Sequence, residues 1–303
     1  MNAMAPLPSA PTRPALRYHG GKWRLAPWVI GHFPPHRVYV EPFGGAASVL
    51  LRKPRAYAEI YNDLDEEVVA FFAVLRDRAL AAELQRQVAL TPYARFEFEL
   101  SYAPTHDPIE RARRLLVRSW MAHGSSGLRG HRTGFRLGSM REHTTASHDW
   151  GRFSEAIPAL VERLQGVAIE RRPAARVIAR EDRPDTLVYV DPPYMYETRS
   201  QKRIGNDLYH GYRHELDDDG HKELLEQLVG LTAMVVISGY ATALYDRMLS
   251  GWTRVQRDAR ADRGEARTEV LWINPAADRA RQVGPLFAGS ERTAIEGTAG
   301  IAS

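Results

Sequence analysis

The sequence contains no cysteine. This absence excludes disulfide bonds, thiolate metal ligands and cysteine nucleophiles. Long apolar runs are also missing, and no stretch approaches the length of a membrane span. The first residues are rich in proline and alanine and lack the lysine-led apolar core of a secretory signal. We therefore expect a cytoplasmic protein with no membrane partner.

Acidic side chains are absent between residues 111 and 141, although the whole chain carries 37 of them. The same stretch holds eight arginines, which are Arg111, Arg113, Arg114, Arg118, Arg129, Arg132, Arg136 and Arg141. A stretch with charge of one sign is typical of a surface that binds phosphates. A solvated helix face followed by a loop would give the same pattern. The net charge of +4 is by itself weak support for a polyanionic partner.

Predicted strands and helices alternate along the chain. Short apolar runs predict strands at 38–40, 56–61, 187–190, 234–237, around 255 and at 270–273. Apolar residues recur at helical spacing at 68–84, 224–229 and 244–249. This alternation predicts an α/β fold of the Rossmann-like type, in which a mostly parallel sheet carries helices on both faces.

One stretch breaks this alternation, because it looks helical around Trp120 and then becomes rich in glycine and arginine at 124–130. We interpret it as an inserted, mainly helical domain that carries a basic loop or hairpin. A chain of 303 residues is long enough for one large domain with such an insertion. The predicted organisation is a disordered segment at 1–14, an α/β domain at 15–75 and 184–275, the insert at 76–183, and a flexible tail at 276–303.

The most informative motif is the run from Asp191 to Tyr194, which is Asp-Pro-Pro-Tyr. It follows an apolar strand, so Asp191 lies at the carboxyl end of the sheet, where open α/β sheets bind their ligands. The Asp191 carboxylate and the Pro192 carbonyl can accept hydrogen bonds from an amino group, and the ring of Tyr194 can stack on a heterocycle. The pattern therefore predicts a site for an amino group on a flat ring. A strand that ends in a tight turn is the alternative interpretation.

A second motif, Glu41 to Ser48, follows the first predicted strand and contains Gly44 and Gly45. Adjacent glycines at a strand-to-helix turn allow the backbone to approach a ligand closely. Asp63 follows about twenty residues later, a spacing that suits a carboxylate that binds ribose hydroxyls. A helix cap is the alternative role for Asp63.

Three further segments accompany these motifs. A glycine turn between an aromatic ring and a cation lies upstream, at Tyr18 to Lys22. Ser238 to Tyr240 ends a later strand, and Arg267 to Asn274 belongs to a late pair of strands.

In this order, and across about residues 16–275, the segments resemble the Dam-like (D12 class) DNA adenine N6-methyltransferases, a family that includes phage and prophage members. The resemblance identifies the α/β domain as the catalytic domain. It implies S-adenosylmethionine as the methyl donor and double-stranded DNA as the partner.

The resemblance also implies the roles of individual residues. By position, the donor-binding residues of the family correspond to Tyr18, Lys22, Glu41, Phe43, Gly44, Asp63 and Asp191. Asp63 would hold the ribose hydroxyls. Asp191 and the Pro192 carbonyl would hold the target amine, and Tyr194 would stack on the flipped base.

The stretch from Ser119 to Gly138 resembles the recognition hairpin of the family, through Gly127-Leu128-Arg129 and Gly134-Phe135. Ser126 stands where the family commonly has Asn, so the recognised DNA sequence, GATC or another, stays open. The residues expected to bind DNA are Arg118, Arg129, Arg132 and Arg136, with Arg129 expected to contact a base edge.

The chemistry expected of such a site is direct methyl transfer. It requires no covalent enzyme intermediate, and we expect no metal site, because the histidines lack the spacing of a zinc motif. We expect a monomer. Three alternatives stay open at this point: a cytosine N4-methyltransferase, a methyltransferase acting on RNA or on a protein glutamine, and a catalytically silent DNA-binding protein. A role in restriction, in a phage or in host regulation is equally open.

Overall fold

A computed structural model describes residues 10–124, 128, 132–138, 144–198, 203–204, 207–208, 214–260 and 266–287. Its main sheet has seven strands in the order β3-β2-β1-β4-β7-β9-β8. Their bounds are β1 Val38–Glu41, β2 Ala58–Asn62, β3 Val167–Glu170, β4 Thr186–Val190, β7 Met234–Gly239, β8 Thr253–Arg260 and β9 Ala266–Ile273. Two short strands, β5 Arg203–Ile204 and β6 Asp207–Leu208, pair with each other.

The sheet is mostly parallel, as predicted. Strands β3, β2, β1, β4 and β7 run parallel to their neighbours, and β9 runs antiparallel to both β7 and β8. Every residue of β1, β4 and β7 is buried. Continuous burial of this kind is typical of parallel strands that are covered on both faces.

Helices cover both faces of the sheet. The helices of the described chain are α1 Ala26–Ile30, α2 Glu66–Arg76, α3 Arg78–Leu90, α4 Arg95–Leu100, α5 Pro108–Met121, α6 Ala146–Gly151, α7 Ile157–Leu164, α8 Ala174–Arg180, α9 Asp218–Val229, α10 Ala243–Met248 and α11 Pro275–Phe287. Alternate strand residues enter opposite clusters: Leu187 and Tyr189 join one, and Val188 and Val190 join the other. The Rossmann-like fold class predicted from the sequence is therefore confirmed.

The order of the strands reverses between β1 and β4. From β1 the chain proceeds outward to β2 and β3, whereas from β4 it proceeds to β7 on the other side. A crevice opens at such a switch point, at the carboxyl ends of the strands. Glu41 ends β1 and Asp191 follows β4, so the two predicted motifs meet at this crevice.

The predicted insert ends earlier than residue 183. Strand β3 lies within the predicted range, yet it pairs with β2 in register from Glu59↔Val167 to Asn62↔Glu170 and forms one edge of the main sheet. Helix α8 also belongs to the α/β domain, because Val177 and Ile178 pack in the cluster below β4 and β7. The helices that precede β3 share one continuous core with α2 and the opposite face of the sheet.

Both predicted terminal segments need correction. Helix α11 occupies 275–287, so the flexible tail predicted from 276 is wrong there, and 288–303 lie outside the described residues. Disorder predicted for 1–14 is wrong at its end, where Pro11 is buried and Arg13 donates a hydrogen bond to the carbonyl of Asp149 at 3.0 Å. Residues 1–9 are not described.

A buried cluster of three charged side chains links α7 to strand β2. Glu59 on β2 accepts hydrogen bonds from Lys53 at 2.7 Å and from Arg163 at 2.6 and 2.9 Å. All three residues are at least nine-tenths buried. Burial alone would raise the pKa of Glu59, but the hydrogen bonds from Arg163 and Lys53 hold the pKa below its ordinary value. Arg163 also donates to the carbonyl of Leu50 at 2.5 Å.

Candidate active site

The turn after β1 requires glycine for two different reasons. The amide of Gly44 donates to the carbonyl of Asn62 at 2.8 Å, and a Cβ atom on Gly44 would lie 2.1 Å from Cε2 of Tyr61. Gly45 adopts a φ of +47°, which favours glycine. The hydroxyl of Tyr61 donates to the carbonyl of Gly45 at 2.7 Å. The turn is therefore held flat against the buried ring of Tyr61.

Asp63 connects this turn to the end of β2. One carboxylate oxygen accepts from the amide of Gly45 and the other from the amide of Asp65, both at 2.8 Å. Asp65 itself caps α2 by accepting from the amide of Glu67. The alternative role of helix cap thus falls to Asp65. The pKa of Asp63 lies above its ordinary value because the carboxyl is buried, although the two amide hydrogen bonds act in the opposite direction.

Glu41 is a buried carboxyl at the floor of the crevice. Its Oε2 accepts from the hydroxyl of Tyr39 at 2.8 Å and from the amide of Leu50 at 3.1 Å. Burial is the main cause that raises the pKa of Glu41 to about 8, and the nearby charge of Asp191 acts in the same direction. The carboxyl is therefore mostly protonated at pH 7.

Lys22 reaches from the upstream glycine turn into the site. Its ammonium lies 2.9 Å from Oδ1 of Asp191 and also hydrogen-bonds with the hydroxyl of Tyr194 and the carbonyl of Gly20. The side chain is 4% exposed. Tyr18, at the start of the same turn, packs its ring over Gly45. Of the residues predicted to contact the donor, Tyr18 therefore borders the glycine turn and Lys22 borders Asp191.

Tyr194 is more deeply buried than expected for a residue whose ring should stack on a flipped base. It is 9% exposed, and the Lys22 ammonium lies 4.6 Å from the centre of its ring. Its hydroxyl donates to Glu269 at 3.2 Å, and its ring packs against Tyr240 at a centroid distance of 4.5 Å. The hydroxyl end of the ring is therefore held by Lys22 and Glu269, and the ring also packs against Tyr240.

Two buried residues of the site were not predicted from the sequence. Ser238, at the end of β7, donates to Oδ1 of Asp191 at 2.8 Å. Glu269, on β9, contacts Tyr194, and burial raises its pKa. Both lie in segments that the resemblance had singled out. For Ser238, its position at the end of a predicted strand was the signal that could have found it.

A cavity of about 330 Å³ joins these groups. Among the residues that line it are Tyr18, Lys22, Glu41, Phe43, Gly44, Asp63 and Asp191, which are all of the residues predicted to bind the donor. Pro193 lines the cavity. Pro192 and Tyr194 are buried and do not belong to the lining. A volume of this size is within the usual range of roughly 300–1,000 Å³ for small-molecule sites.

The arginines of α5 are neutralised by acids from outside the one-signed stretch. Arg118 pairs with Glu67 at 3.0 Å and donates to the carbonyl of Ser101. The other pairs are Arg111 with Glu66 and Glu67, Arg113 with Glu97 and Glu110, and Arg114 with Glu110. This placement disfavours the predicted DNA contact for Arg118 and favours a structural role.

A short antiparallel stem follows α5. Ala122 pairs with Phe135, the amide of His123 donates to the carbonyl of Gly134 at 2.8 Å, and the amide of Arg136 donates to the carbonyl of Met121 at 2.8 Å. The stem closes the segment that was predicted to form a hairpin. Arg132 lies 5.6 Å from the ring of Tyr102. Arg129 lies outside the described residues.

Two further features are absent from the described residues. They contain no group of three or more histidine or acidic side chains arranged to hold a metal ion. No helix in the same part of the chain is long and apolar enough to cross a membrane.

The reversed sheet places its glycine turn beside the Asp-Pro-Pro-Tyr strand end, which is the arrangement expected of a Rossmann-like methyltransferase that acts on an amino group. Residues 18–259 match the family model of the D12 class N6 adenine-specific DNA methyltransferases. The chain belongs to this family, and it is an enzyme that methylates adenine in DNA.

Two curated relatives are named for the same activity. The DNA adenine methylase of Salmonella typhi is 27% identical over 241 residues, which cover 77% of this chain and 82% of that protein. The DNA adenine methylase of Escherichia coli (strain K12) is 26% identical over 263 residues, which cover 83% of this chain and 91% of that protein.

Proposed function

We propose that this enzyme transfers the methyl group of S-adenosylmethionine to N6 of an adenine that has left a DNA duplex. The observation that carries the proposal is the cavity, because it connects the Gly44–Asp63 turn directly to Asp191. A donor bound along this cavity would hold its reactive end next to the carboxylate that is proposed to bind the amine.

The residues present suit this donor. Asp63 supplies a carboxylate for ribose hydroxyls, and Gly44 leaves a flat backbone surface where a side chain would collide with Tyr61. Tyr18 and Phe43 add aromatic surface. When bound, S-adenosylmethionine supplies an electrophilic methyl group on a sulfonium, which becomes a neutral thioether as the methyl leaves.

Asp191 is proposed to act on the nitrogen that receives the methyl group. The adenine N6 lone pair is delocalised into the ring, so the amine is a poor nucleophile. Hydrogen bonds from N6 to Asp191 and to the Pro192 carbonyl draw density onto the nitrogen and stabilise the positive charge that develops there. A bond forms between N6 and the methyl carbon, the carbon–sulfur bond breaks, and N6 releases one proton to solvent water.

The target base must leave the helix before it can reach Asp191. In the structure, Lys22 contacts both residues that the base is proposed to use, through the Asp191 carboxylate and the hydroxyl of Tyr194. We infer that the incoming adenine displaces the Lys22 ammonium. Lys22 then reaches the donor side of the same cavity, in agreement with its predicted contact there.

The insert is proposed to bind double-stranded DNA. Its antiparallel stem lies at the end of α5, Arg136 belongs to this stem, and Arg132 lies close to it in sequence. One chain contains the cavity, Asp191 and the insert, and we propose that it acts as a monomer. Its DNA substrate favours action in the cytoplasm.

Long-read sequencing tests the proposal as a whole. DNA from a methylase-free host that expresses the enzyme should carry N6-methyladenine in one sequence context. Incubation of the purified enzyme with S-adenosylmethionine labelled in its methyl group should label the same DNA. Methylated cytosine in place of adenine, or label that requires another donor, would contradict the proposal.

Asp63→Ala is expected to weaken donor binding. The variant removes the carboxylate proposed to hold the ribose, so the donor loses a charge-assisted hydrogen bond of about 1–3 kcal/mol. Calorimetry with S-adenosylmethionine measures this loss. Asp77→Ala is the matched control, because Asp77 caps α3 and does not line the cavity. Equal donor affinity in the two variants would remove Asp63 from the donor site.

Arg129→Ala is expected to relax sequence choice. If Arg129 contacts a guanine edge, its loss costs about 1–3 kcal/mol on the cognate site and leaves affinity for random DNA nearly unchanged. Fluorescence anisotropy on both DNAs measures the difference. Arg118→Ala serves as the comparison, because its ion pair with Glu67 predicts a loss of stability without a change in sequence choice. An equal loss on both DNAs would make Arg129 a phosphate contact.

A further inference from the structure

A chain of two buried hydroxyls lies behind Asp191. The Tyr189 hydroxyl lies 2.9 Å from Oγ of Ser238, and Oγ of Ser238 lies 2.8 Å from Oδ1 of Asp191. Tyr189 and Ser238 are each 1% exposed. Tyr189 belongs to β4 and Ser238 to β7, two neighbouring parallel strands, so the sheet itself fixes the positions of both side chains.

The direction of the two hydrogen bonds follows from the number of protons that the three groups carry. The Asp191 carboxylate can only accept, so the single proton of Ser238 points toward Asp191. Ser238 then accepts from Tyr189, which must donate. Burial raises the pKa of Tyr189 well above its ordinary value, and the charge of Asp191 raises it further, so the phenol keeps the proton that it donates.

Both donors to Asp191 reach the same oxygen. Lys22 lies 2.9 Å from Oδ1, and Ser238 donates to Oδ1 as well. Among the residues that the structure describes, no donor reaches Oδ2. Two donors on one oxygen fix the rotation of the carboxylate and leave the other oxygen to accept a hydrogen bond from a ligand.

The two donors differ in what happens when a base enters. The base is proposed to displace the Lys22 ammonium from Asp191, whereas Ser238 is buried behind the carboxylate on β7 and stays in place. Ser238 is then the donor that continues to hold Oδ1. A hydrogen bond from Tyr189 on the acceptor side of Ser238 favours this orientation of the serine proton.

We propose that Ser238 and Tyr189 are positioning residues for methyl transfer, which hold the Asp191 carboxylate so that Oδ2 accepts the hydrogen bond from adenine N6. This inference rests on the role proposed for Asp191. A purely structural purpose for the hydroxyls is a weak alternative, because β4 and β7 are already joined by a parallel ladder from Leu187↔Met234 to Val190↔Ile237.

Single-turnover methyl transfer, with donor and DNA both saturating, is the informative measurement, because it isolates the chemical step from product release. Ser238→Ala is expected to slow this step by about tenfold to a hundredfold, the scale of one hydrogen bond to a charged group. Tyr189→Phe is expected to slow it several-fold. Dissociation constants for donor and DNA, and the melting temperature, should stay close to those of the wild type.

The double variant Ser238→Ala/Tyr189→Phe gives the sharpest result. Because Tyr189 acts only through Ser238, the double variant should be no slower than Ser238→Ala alone. Thr186→Val is the matched control, since Thr186 is a buried residue at the opposite end of β4 whose hydroxyl has no hydrogen-bond partner in the described part of the chain. This control should retain the wild-type rate.

Three outcomes would overturn the inference: an unchanged rate in Ser238→Ala, losses that multiply in the double variant, or slowing that a loss of donor or DNA affinity explains. Asp191→Asn, measured beside these variants, separates this failure from failure of the proposed function. If Asp191→Asn is slow and Ser238→Ala is not, only the positioning role falls. If Asp191→Asn is as fast as the wild type, the proposed role of Asp191 falls as well.

Discussion

Asp191→Asn is expected to slow methyl transfer by about two orders of magnitude or more, the scale of removing one group that stabilises transition-state charge. Asparagine keeps the shape of the side chain and one oxygen acceptor but removes the negative charge. The amine then loses its main electrostatic partner at the moment when N6 becomes positive. Asp191→Ala should abolish transfer, but it also removes the side-chain oxygen that the Lys22 ammonium, 4% exposed, contacts. Asn is therefore the cleaner substitution.

The measurement is a single-turnover rate at saturating donor, together with calorimetry of donor binding, which should change little. Asp182→Asn provides the matched control, because Asp182 accepts from the amides of Thr232 and Ala233 at the opposite edge of the sheet. A wild-type rate in Asp191→Asn would remove Asp191 from the chemistry.

Glu59→Gln is expected to lower the free energy of unfolding by about 3–5 kcal/mol, the usual cost of breaking a buried ion pair by removing one partner. The substitution leaves two cations, Lys53 and Arg163, buried side by side with no negative charge between them. Urea denaturation followed by circular dichroism measures the loss. Glu83→Gln is the control, because Glu83 pairs with Arg86 on an exposed helix face, and its removal should leave the midpoint unchanged.

Protonation of Glu59 should reproduce this loss at low pH. The folded-state pKa of Glu59 lies below its ordinary value, so the folded protein binds this proton less readily than the unfolded chain does. The stabilisation is therefore fully present above the unfolded pKa and disappears as the pH falls through the folded pKa. If Glu59→Gln matched the wild type in stability at neutral pH, the cluster would not contribute to folding.

The central site could be predicted because its residues follow strands directly in sequence. Asp191 comes after an apolar run, Gly44 after another, and Asp63 after a third, and parallel strands bring their carboxyl ends to one edge. For these residues, the position in the chain determines the position in the fold.

Other features depend on contacts between distant segments. Strand β3 is a short edge strand of four residues, and only its pairing with β2 distinguishes it from a loop in the insert. Glu269 reaches Tyr194 because β9 runs antiparallel to β7, a direction that the sequence of β9 does not encode locally. Arg118 looked like part of a basic face because its partner, Glu67, precedes it by about fifty residues.

Neutralisation of the α5 arginines has a consequence for how DNA binding responds to ionic strength. A basic side chain releases a condensed counterion from DNA only if it replaces that ion at a phosphate, and each such contact contributes about −0.9 to the slope of log K against log salt concentration. Arg111, Arg113, Arg114 and Arg118 already neutralise acids within the protein. The stretch from residue 111 to residue 141 should therefore release about half as many counterions as its eight arginines suggest. Arg118→Ala should leave the slope unchanged, and the enzyme should keep more of its affinity as salt concentration rises than its arginine content alone implies.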